Sequence, residues 1–282
     1  MDQHSSFSNT PVPQYPQSFS NKLTRWVFEH SQLTKIVLSV FLCGTYTALL
    51  SFFHMPLWFI LTVDLISIFG TVLVVNNAPL TLIKHTYDPL QNQCDPYPLL
   101  HETKECLSQL KNEQLKHIIL IDHCAALSYV GKYQEAYDLS KNLNIDKYSG
   151  TVPFCKIVYY HNLASFCTEL NKYEEADAWQ QKADQLFADI KNTKQKKLLM
   201  RSIQMGKVDA LYRKGEYDEA LKLLENQISK TKVEAVNDAM MLARLYLAKN
   251  DTEKAKTKLQ YVIENGNRLY AVTEAMQRME QF

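Results

Sequence analysis

The chain opens with a polar stretch, turns almost wholly apolar between residues 36 and 75, and then settles into a helical alternation of apolar and polar positions. Residues 1–20 are rich in Ser, Pro and Gln and lack periodicity, so a disordered tail is expected there. Residues 21–35 set Leu23, Trp26, Val27 and Phe28 among Lys22, Arg25 and Glu29, the pattern of an amphipathic segment lying in a membrane interface. Ile36 to Phe53 then runs 18 residues without a charge, close to the roughly 20 that cross a hydrocarbon core. His54-Met55-Pro56 interrupts it, and Leu57 to Val75 forms a second run with Asp64 as its only charge. The pattern predicts a transmembrane hairpin over 36–83, with spans at about 36–53 and 57–76, the second extending toward 83. A cleaved signal peptide is disfavoured, because the first run starts late and no AxA-like site precedes the second.

Lys22, Arg25 and Lys35 precede the first span, Lys84 follows the second, and the turn between them has no Lys or Arg. Both ends are therefore expected on the cytoplasmic side of a cell membrane. Trp26 and Trp58 stand where aromatic rings anchor helix ends. Asp64 is a membrane-embedded polar residue, level in such a hairpin with Tyr46, Thr45 and Thr47, whose hydroxyls are its expected partners.

Asp88-Pro89, Asp95-Pro96 and Pro98 mark residues 84–98 as a linker, and 99–282 as a helical-repeat domain. Leu99, Cys106, Leu107 and Leu110 form a lead-in helix. Beyond it one string recurs. Gly131-Lys132-Tyr133-Gln134-Glu135-Ala136, Asn171-Lys172-Tyr173-Glu174-Glu175-Ala176 and Gly215-Glu216-Tyr217-Asp218-Glu219-Ala220 share the form G/N-x-Y-x-E-A. Asn250 to Ala255 is a weaker fourth, and the spacings are 40, 44 and 35 residues. Each string follows an apolar helical stripe, such as Leu120, Cys124 and Leu127 or Leu242, Ala243 and Tyr246, and starts another helix. Gly or Asn takes the left-handed conformation that ends the first helix, Tyr packs back across the turn, and Ala lets the two helices approach.

In these strings the chain resembles the tetratricopeptide repeat (TPR) superfamily over about residues 114–265. The family's common Trp and closing Pro are missing and the repeat lengths vary. With its two N-terminal spans the chain is similar to uncharacterised membrane-anchored TPR proteins of Gram-positive bacteria. The expected fold is all-α: a two-helix transmembrane hairpin followed by a TPR-like α-solenoid of about four helical hairpins. The resemblance implies a non-catalytic scaffold that binds a protein or peptide partner through its concave face. The helical period places Ser128, Tyr129, His161, Thr168, Asp209, Tyr212, Arg213, Asn237 and Arg244 toward that groove. The Lys and Asn set by which one TPR subclass grips a peptide's C-terminal carboxylate is not found, which disfavours that ligand. The alternative is an accessory subunit that packs on a membrane enzyme or transporter through the hairpin.

Composition narrows the remaining classes. From residue 101 onward 27 Lys and Arg face 25 Asp and Glu, so no basic domain invites nucleic acid. The six cysteines have no metal-ligand spacing and read as free thiols, so no metal is expected. No phosphate loop, HExxH, GxSxG or kinase-like set occurs, so neither catalysis, cofactor nor small-molecule substrate is predicted. Asp122-His123-Cys124 offers a Cys beside a His, but neighbours on a helix point about 100° apart. The basic run Lys191 to Lys197 reads as a solvated loop or helix start, with anionic lipid as the sharper alternative.

Overall fold

The computed structural model describes residues 19–146 and 153–282, so the tail expected at the N-terminus lies outside the described residues up to position 18. Among the described residues there are fourteen helices and no strand. The chain divides into two compact units, Met1–Thr86 and Tyr87–Phe282.

In the first unit α1 (Phe19–Glu29) precedes α2 (Ser31–Phe52) and α3 (Leu57–Asn76), the last two packed as a hairpin. Its turn is closed by His54 at φ +54°, with Met55 N–H returning to the Leu50 carbonyl at 3.0 Å and His54 N–H to that of Ser51 at 3.0 Å. Both helices are long and apolar enough to cross a membrane, and they present Ile36, Phe41, Phe52, Leu57, Leu65 and Phe69 outward. Several of their polar side chains bond within their own helix: Thr45, Thr62 and Ser67 donate to the carbonyls of Phe41, Trp58 and Val63 at 2.7–2.8 Å. Of the three hydroxyls considered for Asp64, that of Thr47 donates to it, at 2.8 Å.

Residues 84–98, expected as a proline-broken linker, are instead largely helical. α4 runs Ala78–Gln93 through Pro89, and α5 (Tyr97–Gln109) begins directly after Pro96. Pro89 removes a single backbone donor, while Leu90 beside it is buried, so tertiary packing overrides local propensity. Pro96 caps α5 and Pro98 stands in its first turn, where a missing N–H costs nothing. The second unit thus starts at Tyr87, whose hydroxyl donates to Asp122 at 2.7 Å, rather than at Leu99.

From there the solenoid is built of four hairpins: α6 (Glu113–Tyr129) with α7 (Tyr133–Lys141), α8 (Pro153–Glu169) with α9 (Tyr173–Ala188), α10 (Thr193–Lys214) with α11 (Tyr217–Glu225), and α12 (Lys232–Ala248) with α13 (Thr252–Asn265). A last helix, α14 (Tyr270–Met279), follows. Gly131, Asn171, Gly215 and Asn250 end the first helices at φ of +79°, +58°, +80° and +60°. In each turn the next N–H reaches back five residues: Lys132 to Leu127, Lys172 to Cys167, Glu216 to Leu211 and Asp251 to Tyr246, at 2.8–3.0 Å. This is the double-bonded helix stop that the recurring Gly or Asn implies. Ala136, Ala176, Ala220 and Ala255 are completely buried where each second helix meets its first. The tyrosines are less uniform, since Tyr217 packs on Tyr212 while Tyr173 stays half exposed and donates to Asn171. Side-chain caps set the helix starts: Asn112 for α6, Asn192 for α10 and a Thr231–Glu234 capping box for α12. The basic run therefore surrounds the start of α10, with Lys194, Lys196 and Lys197 in its first turns.

Candidate functional site

In a stacked array of this kind the first helices of the hairpins, here α6, α8, α10 and α12, are the ones that line the inner face. Near their C-terminal ends the side chains converge on Arg244. Its Nη1 donates to Glu169 at 2.7 Å, and its Nη2 and Nε donate to Glu274 of α14 at 2.6 and 3.0 Å. Glu169 ends α8, so one guanidinium ties the fourth hairpin to the second across the inner face. Burial works against the charge on Arg244, and the two carboxylates outweigh it, holding the group protonated. Glu274 is likewise held below its ordinary value despite burial, by Arg244 and Arg278. Asp209 shares this neighbourhood, where burial, with Glu169 adding, pushes its carboxyl up to about 7 against Arg244 and Arg213.

Arg213 is used in the same way: Nη1 donates to Thr168 at 2.8 Å and Nη2 to Asp177 at 2.5 Å. Its Nε is buried with no hydrogen-bond partner among the described residues. Further along, Arg201 donates to both oxygens of Asp238 at 2.6 and 2.7 Å. Burial raises the Tyr129 hydroxyl, with Glu234 adding and Arg201 opposing.

Of the residues placed toward the groove by helical period, Thr168, Arg213 and Arg244 make these hydrogen bonds, Asp209 lies in the field of both arginines, and Tyr129 in that of Arg201. The others lie apart from this network. Tyr212 packs on Tyr217, Ser128 donates to its own helix at Ala125, and Asn237 is partly buried on α12. Burial lowers the pKa of His161, whose neighbour Gln180 opposes the shift. Sequence reasoning missed Glu169 and Glu274, because a carboxylate at a helix end carries no periodic signal and α14 follows the last recurring string. Asp122, His123 and Cys124 go to three different surroundings: Tyr87, Thr103 at 2.9 Å, and the apolar core, where burial pushes the thiol to about 11. All six cysteines are free, and no group of three metal-ligating side chains occurs among the described residues.

A family model described as the SusR N-terminal TPR domain matches residues 96–264, more than half of the chain. The chain belongs to that TPR family. Neither a curated protein nor a solved structure matches it. The TPR match takes in the four hairpins and the lead-in helix α5, and stops just before Gly266. Both the apolar hairpin and α14 lie outside it.

The segment after the TPR match closes the array. Leu269 and Gly266 are buried, Asn267 donates to the Gln93 carbonyl at 2.8 Å, and Arg268 N–H donates to that of Cys94 at 3.3 Å. The Arg268 guanidinium lies over the Tyr97 ring at 3.9 Å and pairs with buried Asp95 at 3.2 Å. Tyr270 then meets Tyr133 edge-on, ring centres 5.9 Å apart, and covers Gly131, where any Cβ would strike its ring.

Proposed function

We propose that this protein is a non-catalytic, membrane-anchored scaffold that binds a cytoplasmic protein or peptide partner through the inner face of its TPR array. The observation that carries the reading is the joining of two exposed apolar helices to a TPR domain. Side chains such as Val40, Phe41, Leu65 and Phe69 are more than 60% exposed on both helices, an apolar surface that lipid would cover. Flanking Lys22, Arg25, Lys35 and Lys84 favour the cytoplasm for both ends. A tether of this kind raises the partner's effective concentration at the bilayer, so a modest groove affinity suffices.

The test begins with alkaline extraction of membranes, in which the full chain stays in the pellet if the hairpin is integral. Crosslinking in intact membranes then compares the full chain with a fragment starting before Tyr87, the first residue of the second unit. The same partner captured by both supports the inner face as the binding site. A partner captured by the full chain alone moves the function to the hairpin.

That second reading, an accessory subunit packing through its spans, is favoured by one observation. Asp64 Oδ2 accepts from Thr47, but Oδ1 is buried with no hydrogen-bond partner among the described residues. A donor from a neighbouring membrane helix would satisfy it.

A further inference from the structure

α14 touches the array differently from the helices before it. α12 buries eight of its residues completely or nearly so and α8 buries seven, but α14 buries only Ala275. Met276 and Gln277 on its far side are exposed. It packs along α13, and two specific contacts tie it to the rest of the array: the Tyr270 ring on Gly131 and Tyr133, and the Glu274 carboxylate on Arg244. Tyr270 and Glu274 are four residues apart, hence neighbours on one face of the helix. A helix with so few buried residues belongs toward the low-stability end of a domain. It also lies beyond the range matched to the family.

The receiving surface has the features of a recognition site. Gly131 lacks a side chain where the Tyr270 ring lies, and a Cβ there would strike that ring. Arg244 offers a fork of donors in a partly buried setting, and the Arg213 Nε points into buried space without an acceptor. Aromatic and Arg anchors of this kind dominate binding at protein interfaces.

We propose that α14 is a built-in ligand of the inner face, and that the partner is an acidic amphipathic helix with an aromatic residue one turn before a carboxylate. The partner takes α14's place on Gly131, Tyr133 and Arg244. This rests on the reading of the inner face as the partner site. Because α14 is tethered, it competes at the high effective concentration of an intramolecular ligand. Only a helix that makes the same two contacts, and adds others, displaces it.

The test uses the full chain in detergent and a variant ending at Leu269, with a fluorescent peptide of residues 270–282 as the probe. The truncated chain is expected to bind the peptide at least tenfold more tightly than the intact chain does. Glu274→Gln or Tyr270→Ala in the peptide is expected to weaken binding about tenfold. A truncated chain that keeps its helical circular dichroism yet does not bind, or an intact chain that binds equally well, overturns the proposal. Should truncation unfold the domain, Glu274→Arg in the full chain serves instead, read by amide hydrogen exchange. Exchange quickened at 270–279 alone supports a detachable helix, and equal loss of protection through all four hairpins overturns it. Peptide binding without any partner captured in membranes would sink the scaffold reading and the partner's share of this proposal, whereas a partner captured while the truncated chain ignores the peptide would sink this proposal alone.

Discussion

Arg244 on α12 grips Glu169 at the end of α8 at 2.7 Å, although 75 residues separate them in the chain. In an open solenoid the second and fourth hairpins contact only their neighbours. Here the inner face curls tightly enough for a single guanidinium to span it and to take Glu274 of α14 as well.

Removing Arg244 takes the shared counter-charge from two partly buried carboxylates, at 24% and 14% side-chain exposure, and leaves Glu274 with Arg278 alone. Arg244→Met is expected to cost about 3 kcal/mol, the low end for breaking a buried pair. Urea denaturation of the full chain in detergent, followed by circular dichroism, measures it. A cycle with Glu169→Gln is expected to show coupling of about 1–3 kcal/mol, and additive single effects would count against a shared network.

Asp209 makes stability depend on pH. Its carboxyl titrates near 7 in the folded chain, raised by burial and by Glu169, against about 4 when unfolded. Below about 4 both states are protonated and the group costs nothing; as pH rises through the folded value, the native state must ionise a buried acid and loses stability. Asp209→Asn is therefore expected to stabilise the protein above pH 7 and to flatten the slope between about 4 and 7. Melting temperatures at a series of pH values check this, and parallel curves for the two chains contradict it.

The buried alanines of the repeat string set the spacing of each hairpin. Ala220 is completely enclosed between α10 and α11, so Ala220→Leu is expected to destabilise by about 1–3 kcal/mol through overpacking. Ala220→Gly keeps the spacing and is expected to cost only about 1 kcal/mol, through helix propensity. Equal losses from the two variants, measured by urea denaturation, would show that volume is not the constraint.

Gly131 and Gly215 share the left-handed conformation but not their surroundings. A Cβ at Gly215 meets nothing within 4 Å, whereas one at Gly131 strikes the Tyr270 ring. Each Gly→Asn variant keeps the permitted backbone, as Asn171 and Asn250 do in the sister turns. Gly215→Asn is expected to be nearly neutral, and Gly131→Asn to expose α14 to faster amide exchange and rapid C-terminal proteolysis.

The repeat string, its spacing and the charge-free runs determined the helices, the left-handed turns at Gly131, Asn171, Gly215 and Asn250, and the buried alanines. These are local consequences: a turn needs a residue that accepts positive φ, and a close helix pair needs a small side chain. Helical period also singled out Arg213 and Arg244, because direction around a helix is fixed by position along it. What those side chains touch was decided only by the tertiary structure. The superhelical curl brings Glu169 and Glu274 to Arg244 and Arg268 to Asp95, and ion pairs that span 75 or 173 residues leave no periodic trace in the chain. Pro89 shows the same limit from the other side, since burial of Leu90 kept helical a stretch that its own prolines argued against.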